Sequence, residues 1–567
     1  MNLSSTPLPS REPPEVAHCV APFVAHSVAH AVAPFAAPAP ASPAEADAPQ
    51  TSAVPTGPAG RPPGRNARAQ GASRGRADTG ADIGADRGGV LRTLPWLAAA
   101  ALALAGCAVG PDYRQPDLAP SAAYPHAYVL ASRAASAPAP SLDTWWLGFN
   151  DPTLTRIVQR ALNQNLDLAA AVARVEQARA VAQEAGAALL PQGSLEAGVL
   201  KQRRSLASPI GKITNALQGD GRSVALYDVG AAASWEIDVA GGLRRGAEAA
   251  SAEAEAAEAE HLGVRVTVAA EAADAYFRIR GAQRRIAIAE DQIATNGRLL
   301  ELVRLRQQDG LAAIREVAQA EALVAQARTT VPPLRIALQT QLNRLDVLMG
   351  AEPGTYAREL DSDGSVAATT AVVPAISAAE GPAALLRRRP DVIAAERRLA
   401  ASNARIGVAT AEYYPKVSIS GLLGFESLQA NTLFTAKAFQ PTATAGLRWR
   451  LFDFGRVDAE VKQAKGANAE ALAHYRQSML RATEDVENAI VTLTQLETQS
   501  TELGTEVDAH VRARNASEDA YKGGAVSLYE VLEEDRLLLT ARDEQARVVA
   551  DNARAAVATF RALGGGW

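Results

Sequence analysis

Tyr227-Asp228-Val229-Gly230-Ala231-Ala232-Ala233-Ser234-Trp235-Glu236-Ile237-Asp238-Val239 is the stretch that decides the fold. Its odd positions carry Tyr227, Val229, Ala231, Ala233, Trp235, Ile237 and Val239, whereas Asp228, Ser234, Glu236 and Asp238 fall on even ones. Strict period-2 alternation sets the apolar side chains on one face of a strand, over a length that suits a membrane-crossing β-strand of about 9–11 residues. A half-buried sheet in a water-soluble protein alternates in the same way. The strand therefore leaves two settings open, and its neighbours decide between them.

The first neighbour is a second copy of itself. Ala445, Leu447, Trp449 and Leu451 alternate with Thr444, Gly446, Arg448 and Arg450, and Val417, Ile419, Leu423 and Phe425 alternate with Lys416, Ser418, Ser420 and Glu426. The run after Pro191, Ser194 to Val199, is the weakest of four strands. The correspondence extends well beyond the strands. Asn165-Leu166-Asp167 and Pro191 are answered by Arg389-Pro390-Asp391 and Pro415, a step of 224 residues; Trp235 and Val317 are answered by Trp449 and Val531, a step of 214. The ten residues lost between Pro191 and Trp235 place a longer loop between the strands of the first copy, where a loop tolerates insertion. One half was duplicated, and each copy reads helix, strand, loop, strand, long helix, turn, helix.

The long helices are the second neighbour. Residues 242–308 and 455–522 contain no proline, and 67 helical residues make a rod of roughly 100 Å. Ile286, Ile293 and Leu300 recur seven apart, as do Leu496 and Leu503, spacing that suits a coiled-coil seam. Glycines mark reversals at Gly310 and Gly523-Gly524, after which helices return over 314–350 and 527–562. A 100 Å helix has no use in a globular domain; it has one in a tube.

The amino-terminal part adds an address. Residues 1–89 hold fourteen of the chain's 32 prolines, all within 1–63, followed by Gly, Ala and Arg, a composition that cannot offset its ordering entropy. From Val90 the chain reads as a secretory signal, with Arg92, an alanine/leucine run and Leu104-Ala105-Gly106-Cys107. That ending resembles a bacterial lipobox, in which Cys107 receives the lipid. Translation is expected to begin near Val90, which makes 1–89 a disordered, non-native extension. Peptides from residues 20–80 in native protein would refute this.

Composition removes other classes. A formal charge of -5 in 567 residues gives no basic excess for nucleic acid. Cys19 and Cys107 are too few for a disulfide framework or zinc site, and apart from the stretch around residue 100 no apolar run is long enough for a multi-pass helical protein. The chain shows no His-Glu-x-x-His, phosphate-binding Gly-Lys-Ser/Thr loop or Cys-x-x-Cys, and Gly211-Lys212 lacks the required upstream glycine, so neither enzyme, cofactor nor metal is expected.

Four strands cannot close a membrane barrel, for which a single chain needs about eight. Open edges in lipid leave backbone groups unpaired, so the sheet must continue into other copies. Three chains supply twelve strands and a ring of long helices.

The sequence resembles the outer-membrane factors of the TolC/OprM/NodT class. The resemblance rests on the lipobox at Cys107, Pro111-Asp112-Tyr113, and Trp145-Trp146 with Phe149, Asp151 and Leu154. It rests also on Leu385-Leu386-Arg387-Arg388-Arg389-Pro390-Asp391-Val392 with Ala394-Ala395-Glu396, and on the terminus Ala562-Leu563-Gly564-Gly565-Gly566-Trp567. It covers about 107–567 and implies an α+β membrane fold. This is a homotrimer with a 12-stranded β-barrel, four strands per chain, in the outer membrane, continued by a long periplasmic α-helical barrel. The layout becomes a signal peptide over 90–106 and a lipidated segment over 107–150. A first repeat over 151–360 (strands about 192–240), a linker over 361–380 and a second repeat over 381–567 (strands about 416–453) complete it. The implied partners are a periplasmic adaptor, an inner-membrane transporter of the resistance-nodulation-division type and outer-membrane lipid. The implied role is an exit duct for efflux, with type I protein secretion or a poreless, lipid-anchored coiled-coil scaffold as alternatives.

The resemblance also places residues. The second turn sits at the closed periplasmic tip, where Glu530 and Glu533, one helical turn apart, match acidic positions and form two stacked carboxylate rings in a trimer. The matching position of a gate-locking basic residue holds Val526, so an ion-pair latch there is not expected. Gly310, Leu311 and Ala312, with Gly524, Ala525 and Val526, match the tips that meet the adaptor, although glycine also simply reverses a chain after a helix. Arg387-Arg388-Arg389 reads as the approach to a helix, with Pro390 near its first position and Asp391 in its first turn. Trp145-Trp146 fits either a buried belt or an interface.

Overall fold

The computed structural model describes residues 108–116, 140–203, 205, 207–209, 212, 223–356, 359–360, 374, 376 and 387–567, all within one compact unit, 86–567. The expected extension 1–89, signal 90–106, Cys107 and most of the 361–380 linker lie outside the described residues.

After a 3-10 turn over Leu142–Phe149 come α1 (Pro152–Gln164), α2 (Leu166–Ala187), β1 (Gln192–Arg203), β2 (Ser223–Ile237), α3 (Gly242–Gln308) and α4 (Ile314–Leu348). The second series is α5 (Pro390–Ala411), β3 (Lys416–Ser427), β4 (Phe439–Arg448), α6 (Arg456–Lys522) and α7 (Leu528–Ala562). The copies match closely: α2 and α5 are both 22 residues long, α3 and α6 both 67, α4 and α7 both 35.

Local chemistry sets these boundaries. Asn165 starts α2 by accepting the Leu168 amide at 2.9 Å, while its side-chain amide donates to the Leu348 carbonyl at 3.0 Å. Pro390 stands at the start of α5 with Asp391 in the first turn. Where strands run into the long helices, Gly241 and Gly455 take φ near +80°, and Asp238 and Asp453 accept the first helical amides. Pro332 and Pro333 stand inside α4 without ending it, and both are exposed.

The strands form one antiparallel sheet in the order β1-β2-β3-β4. Its register aligns the alternations: Leu195 and Ala231 oppose one another, Ala231 then pairs with Leu423, Trp235 with Ile419, and Ile419 with Ala445. A single apolar face therefore runs across all four strands, and a slip of one residue in any of them would turn its apolar set to the other side. The last strand differs from expectation. It spans Phe439–Arg448, so Trp449 and Leu451 lie past its end. Arg448 pairs with Lys416, and the residue before Lys416 is Pro415, which has no amide with which to extend the ladder.

Alanine is the commonest residue of the interior. Ala269, Ala272 and Ala273 of α3 have no exposed surface, and the large side chains concentrate where the termini meet. Trp145 is fully buried and stacks on Phe560 at 5.4 Å, and Trp146 packs edge-on against it, which settles the tryptophan pair as core. Tyr276 donates to Asp151 at 2.5 Å, and burial raises its pKa. The terminal glycines fit closely here: a Cβ on Gly565 would meet the Leu142 carbonyl oxygen at 2.9 Å, and the Gly566 amide donates to that same oxygen. Arg388 donates to the Trp567 carbonyl at 2.7 Å and Arg389 to that of Ala562 at 3.0 Å, so the basic run fastens the C-terminus. By contrast the seven-residue repeats Ile286, Ile293 and Leu496 are only half-buried, because in one chain much of the rod surface has no neighbour.

Trp145→Ala removes the largest buried side chain and its stacking partner's contact. It should lower stability by about 3–5 kcal/mol, read as an earlier thermal transition of the detergent-purified protein by circular dichroism. A transition at the wild-type temperature would refute its role as the anchor.

Candidate functional site: the helical tips and the foot of the sheet

Both helix reversals end in the same way. Gly310 and Gly524 take φ of 73° and 74°; the Leu311 amide donates to the Arg306 carbonyl at 2.7 Å, and the Ala525 amide to that of Ala520 at 2.8 Å. This is the left-handed helix ending that a side chain at the glycine would strain.

The side chains on these matched turns diverge. Leu311 and Ile314 are 67% and 78% exposed, whereas Leu528, the counterpart of Ile314, is 2% exposed. Leu528 packs with Val303, Val317, Tyr521, Val531 and Leu532, and Ala312 and Val526 lie against this cluster. The two tips of one chain are thus joined by an apolar core, with the Arg306 guanidinium 4.6 Å from the centre of the Tyr521 ring. Burial raises the Tyr521 pKa. Of the six expected tip residues, Leu311 projects outward, Val526 is half-buried, and the glycines shape the backbone.

The two glutamates also differ. Glu530 is exposed and, among the described residues, makes no side-chain ion pair. Glu533 binds Arg536 at 2.6 Å, and that guanidinium holds its carboxyl below the ordinary range. Glu533 is therefore a compensated charge, a pairing that the sequence reading did not include. Deeper in the same hairpin, Asp535 is buried against Arg514 at 3.0 Å, and Arg514 also binds Glu518 at 2.5 Å; burial pushes the Asp535 carboxyl above its usual range. Arg306, Tyr521, Arg514 and Asp535 were missed from the sequence. Comparing the repeats position by position would have marked the first three, whose counterparts are Ala520, Gln307 and Leu300; Asp535 answers Glu321, another carboxylate, and carries no such signal.

At the other end of the long helices, residues 108–116 lie across the foot of the sheet. The Val109 amide donates to the Ala240 carbonyl at 2.9 Å, and Asp112 pairs with the buried Arg245 at 2.6 Å, which lowers the Asp112 pKa. Tyr113 donates to the buried Glu396. Gly110 is required by its neighbour: a Cβ there would stand 2.4 Å from the Gly407 Cα. Ala108, the residue after Cys107, touches Gly241 just past the end of β2. Trp235 and Trp449 stand at this same level and are used alike, donating at 3.0 Å to the carbonyls of Leu189 and Tyr413. Phe425, Phe434 and Phe439 cluster at the far end of the strands. An apolar face between two aromatic girdles is the arrangement of a lipid-exposed barrel wall.

Among the described residues no helix is long and apolar enough to cross a membrane, and no group of metal-ligating side chains is assembled.

Comparison with known proteins agrees with this geometry. The profile of the family described as outer membrane efflux protein matches residues 157–351 and 381–565, one match per repeat. The pyoverdine export outer membrane protein OpmQ of Pseudomonas putida is 33% identical over 75% of this chain and 88% of its own length. Nodulation protein T of Rhizobium leguminosarum bv. trifolii is 28% identical over 82% and 96%. The solved outer-membrane channel OprN superposes with a TM-score of 0.72 at 33% identity, covering 81% of this chain and all of that one. The chain is one protomer of a TolC-like outer-membrane channel with a duplicated body, and it belongs to the outer membrane efflux protein family.

Proposed function

We propose that three copies of this chain form the outer-membrane exit duct of a tripartite efflux pump. It conducts small molecules passively from a periplasmic adaptor and an inner-membrane transporter of the resistance-nodulation-division type to the exterior. The observation that carries the proposal is the sheet: four strands with one continuous apolar face and unpaired outer edges at β1 and β4. In lipid each unpaired backbone group costs several kcal/mol, so the edges must meet those of other copies. Twelve strands then close a barrel, and the helices prolong it. The duct performs no catalysis and takes its energy from the inner-membrane partner.

The relatives' names, pyoverdine export and toluene efflux, speak for small molecules over exported proteins. The apolar face speaks against a poreless scaffold. In this reading Cys107 carries acyl chains, and the closeness of Ala108 to Gly241, just past the end of β2, supports an anchor at the level where the strands enter the membrane. Gating lies at the periplasmic tip, with Glu530 and Glu533 around the pore. The adaptor meets the turns Gly310-Leu311-Ala312 and Gly524-Ala525-Val526.

Detergent-purified protein with retained lipid should be trimeric by mass photometry and should conduct in planar bilayers. A stable monomer without conductance overturns the proposal. Glu530→Gln should reduce the cation-over-anion permeability ratio several-fold, and the paired change Glu533→Gln with Arg536→Gln should reduce it less, because those two charges already compensate one another. Equal losses, or none from Glu530→Gln, would remove these residues from the pore. Cys107→Ser should abolish incorporation of labelled palmitate; retained label would place the lipid elsewhere.

A further inference from the structure

Each strand of the sheet alternates between two faces, and a hollow of about 550 Å³ marks the concave one. Ser194, Glu196, Ser234, Ser420, Thr442 and Thr444 line it, all at even positions. The cross-strand pairs join odd to odd and even to even throughout, so this parity holds for the whole sheet. Even positions face the bore, and odd positions face outward, toward lipid. Charge follows that division. Glu196, Asp228, Glu236, Lys416, Glu426 and Arg448 all stand at even positions. On the outward face of the four described strands the charged residues are Lys201 and Arg203 of β1, and those alone.

Register fixes their height. Val199 opposes Tyr227, and Phe425 opposes both Val229 and Phe439, which sets an aromatic girdle across the outward face. Lys201 and Arg203 follow Val199 on the same face, about 7 and 13 Å further along the strand at about 3.4 Å per residue. The long helices leave from the opposite end of the sheet, after Ile237 and Arg448, so this end faces the exterior. Both side chains are exposed, and neither has a side-chain hydrogen bond or ion pair among the described residues. The second repeat holds Phe425 and Ser427 at the matching positions, so the two cations are a departure of the first repeat and not a need of the fold. A cation on a lipid-facing strand is tolerated near the interface, where its stem runs along apolar surface and its head reaches polar groups. Just above the girdle those groups are lipid headgroups. A guanidinium and an ammonium on one face of a strand hold a phosphate by charge and hydrogen bonding. At the same end the bore carries Asp228 opposite Glu426, which repel an anion and confine the attraction to the outside.

We infer that Lys201 and Arg203 bind the phosphate groups of an anionic glycolipid in the outer leaflet, one molecule against each copy. In a bacterial outer membrane the anionic lipid of that leaflet is a phosphorylated glycolipid. This rests on the barrel proposed above, in which β4 of the next copy closes the free edge of β1. Delipidated, detergent-purified trimer should bind bisphosphorylated lipid A by native mass spectrometry, and should bind dephosphorylated lipid A and phosphatidylglycerol roughly tenfold more weakly. Lys201→Gln with Arg203→Gln should weaken binding of bisphosphorylated lipid A by roughly tenfold, whereas Lys201→Arg with Arg203→Lys should retain it. Both variants should stay trimeric and conduct as the wild type does, since neither residue faces the bore. The inference fails if the glutamine variant binds as the wild type does, if removal of the phosphates changes nothing, or if phosphatidylglycerol binds equally well. Displacement of the glycolipid by an equal concentration of inorganic phosphate would assign the two cations to free phosphate and overturn it too. A wild-type monomer without conductance would instead overturn the barrel itself.

Discussion

A backbone amide or carbonyl in hydrocarbon has no water to fall back on, and this requirement governs the rest of the molecule. The four-stranded sheet satisfies its inner ladders and leaves β1 and β4 with open outer edges. The aligned apolar face prevents the sheet from simply lying in water, because Leu195, Val199, Leu423 and Leu447 are all exposed in the single chain. Edge and face together demand a membrane and other copies. Every other feature follows from setting a third of a cylinder wall at the right height.

Height is fixed by the termini. The strap over 108–116 crosses from the foot of the sheet onto α3 and α5, held by Arg245, Gly407 and Glu396. The C-terminal tail closes onto Trp145 from the other direction in sequence, through Gly565 and Gly566. Alanine faces allow α3 to touch α2, α4, α5 and α7 at once, so the longest helix is also the most enclosed. Its equal in length, α6, is far less buried, because among the described residues only α5 and α7 pack extensively on it.

Much of this was legible in the sequence because it repeats. Steps of 224 and 214 residues exposed the duplication, and period-2 alternation survived in three of four strands, so the long helices could be bounded to within a residue or two. What escaped depended on contacts distant in the chain. The seven-residue leucine and isoleucine spacing suggested a coiled-coil seam, yet on α3 most of the enclosed positions are alanines, and on α6 only Leu503 of that spacing is buried. The end of β4 was set by its partner's Pro415 and not by its own alternation, which continues through Leu451. Of the gate glutamates, only the three-dimensional pairing with Arg536 distinguishes Glu533 from Glu530.

Duplication also explains how one chain can carry two hairpin tips of unlike character. Two identical repeats would make the two tips of a chain alike. After duplication the two copies were free to differ at image positions without disturbing helix lengths or turn geometry, and Gly310 and Gly524 still share their backbone angle to within a degree. The differences fall on charge and burial. Ile314 lies open where Leu528 is enclosed, and Arg306 stands where Ala520 does. A fold kept by backbone geometry and helix length, with charge and burial varied at the tips, lets the two hairpins differ without loss of the shared architecture.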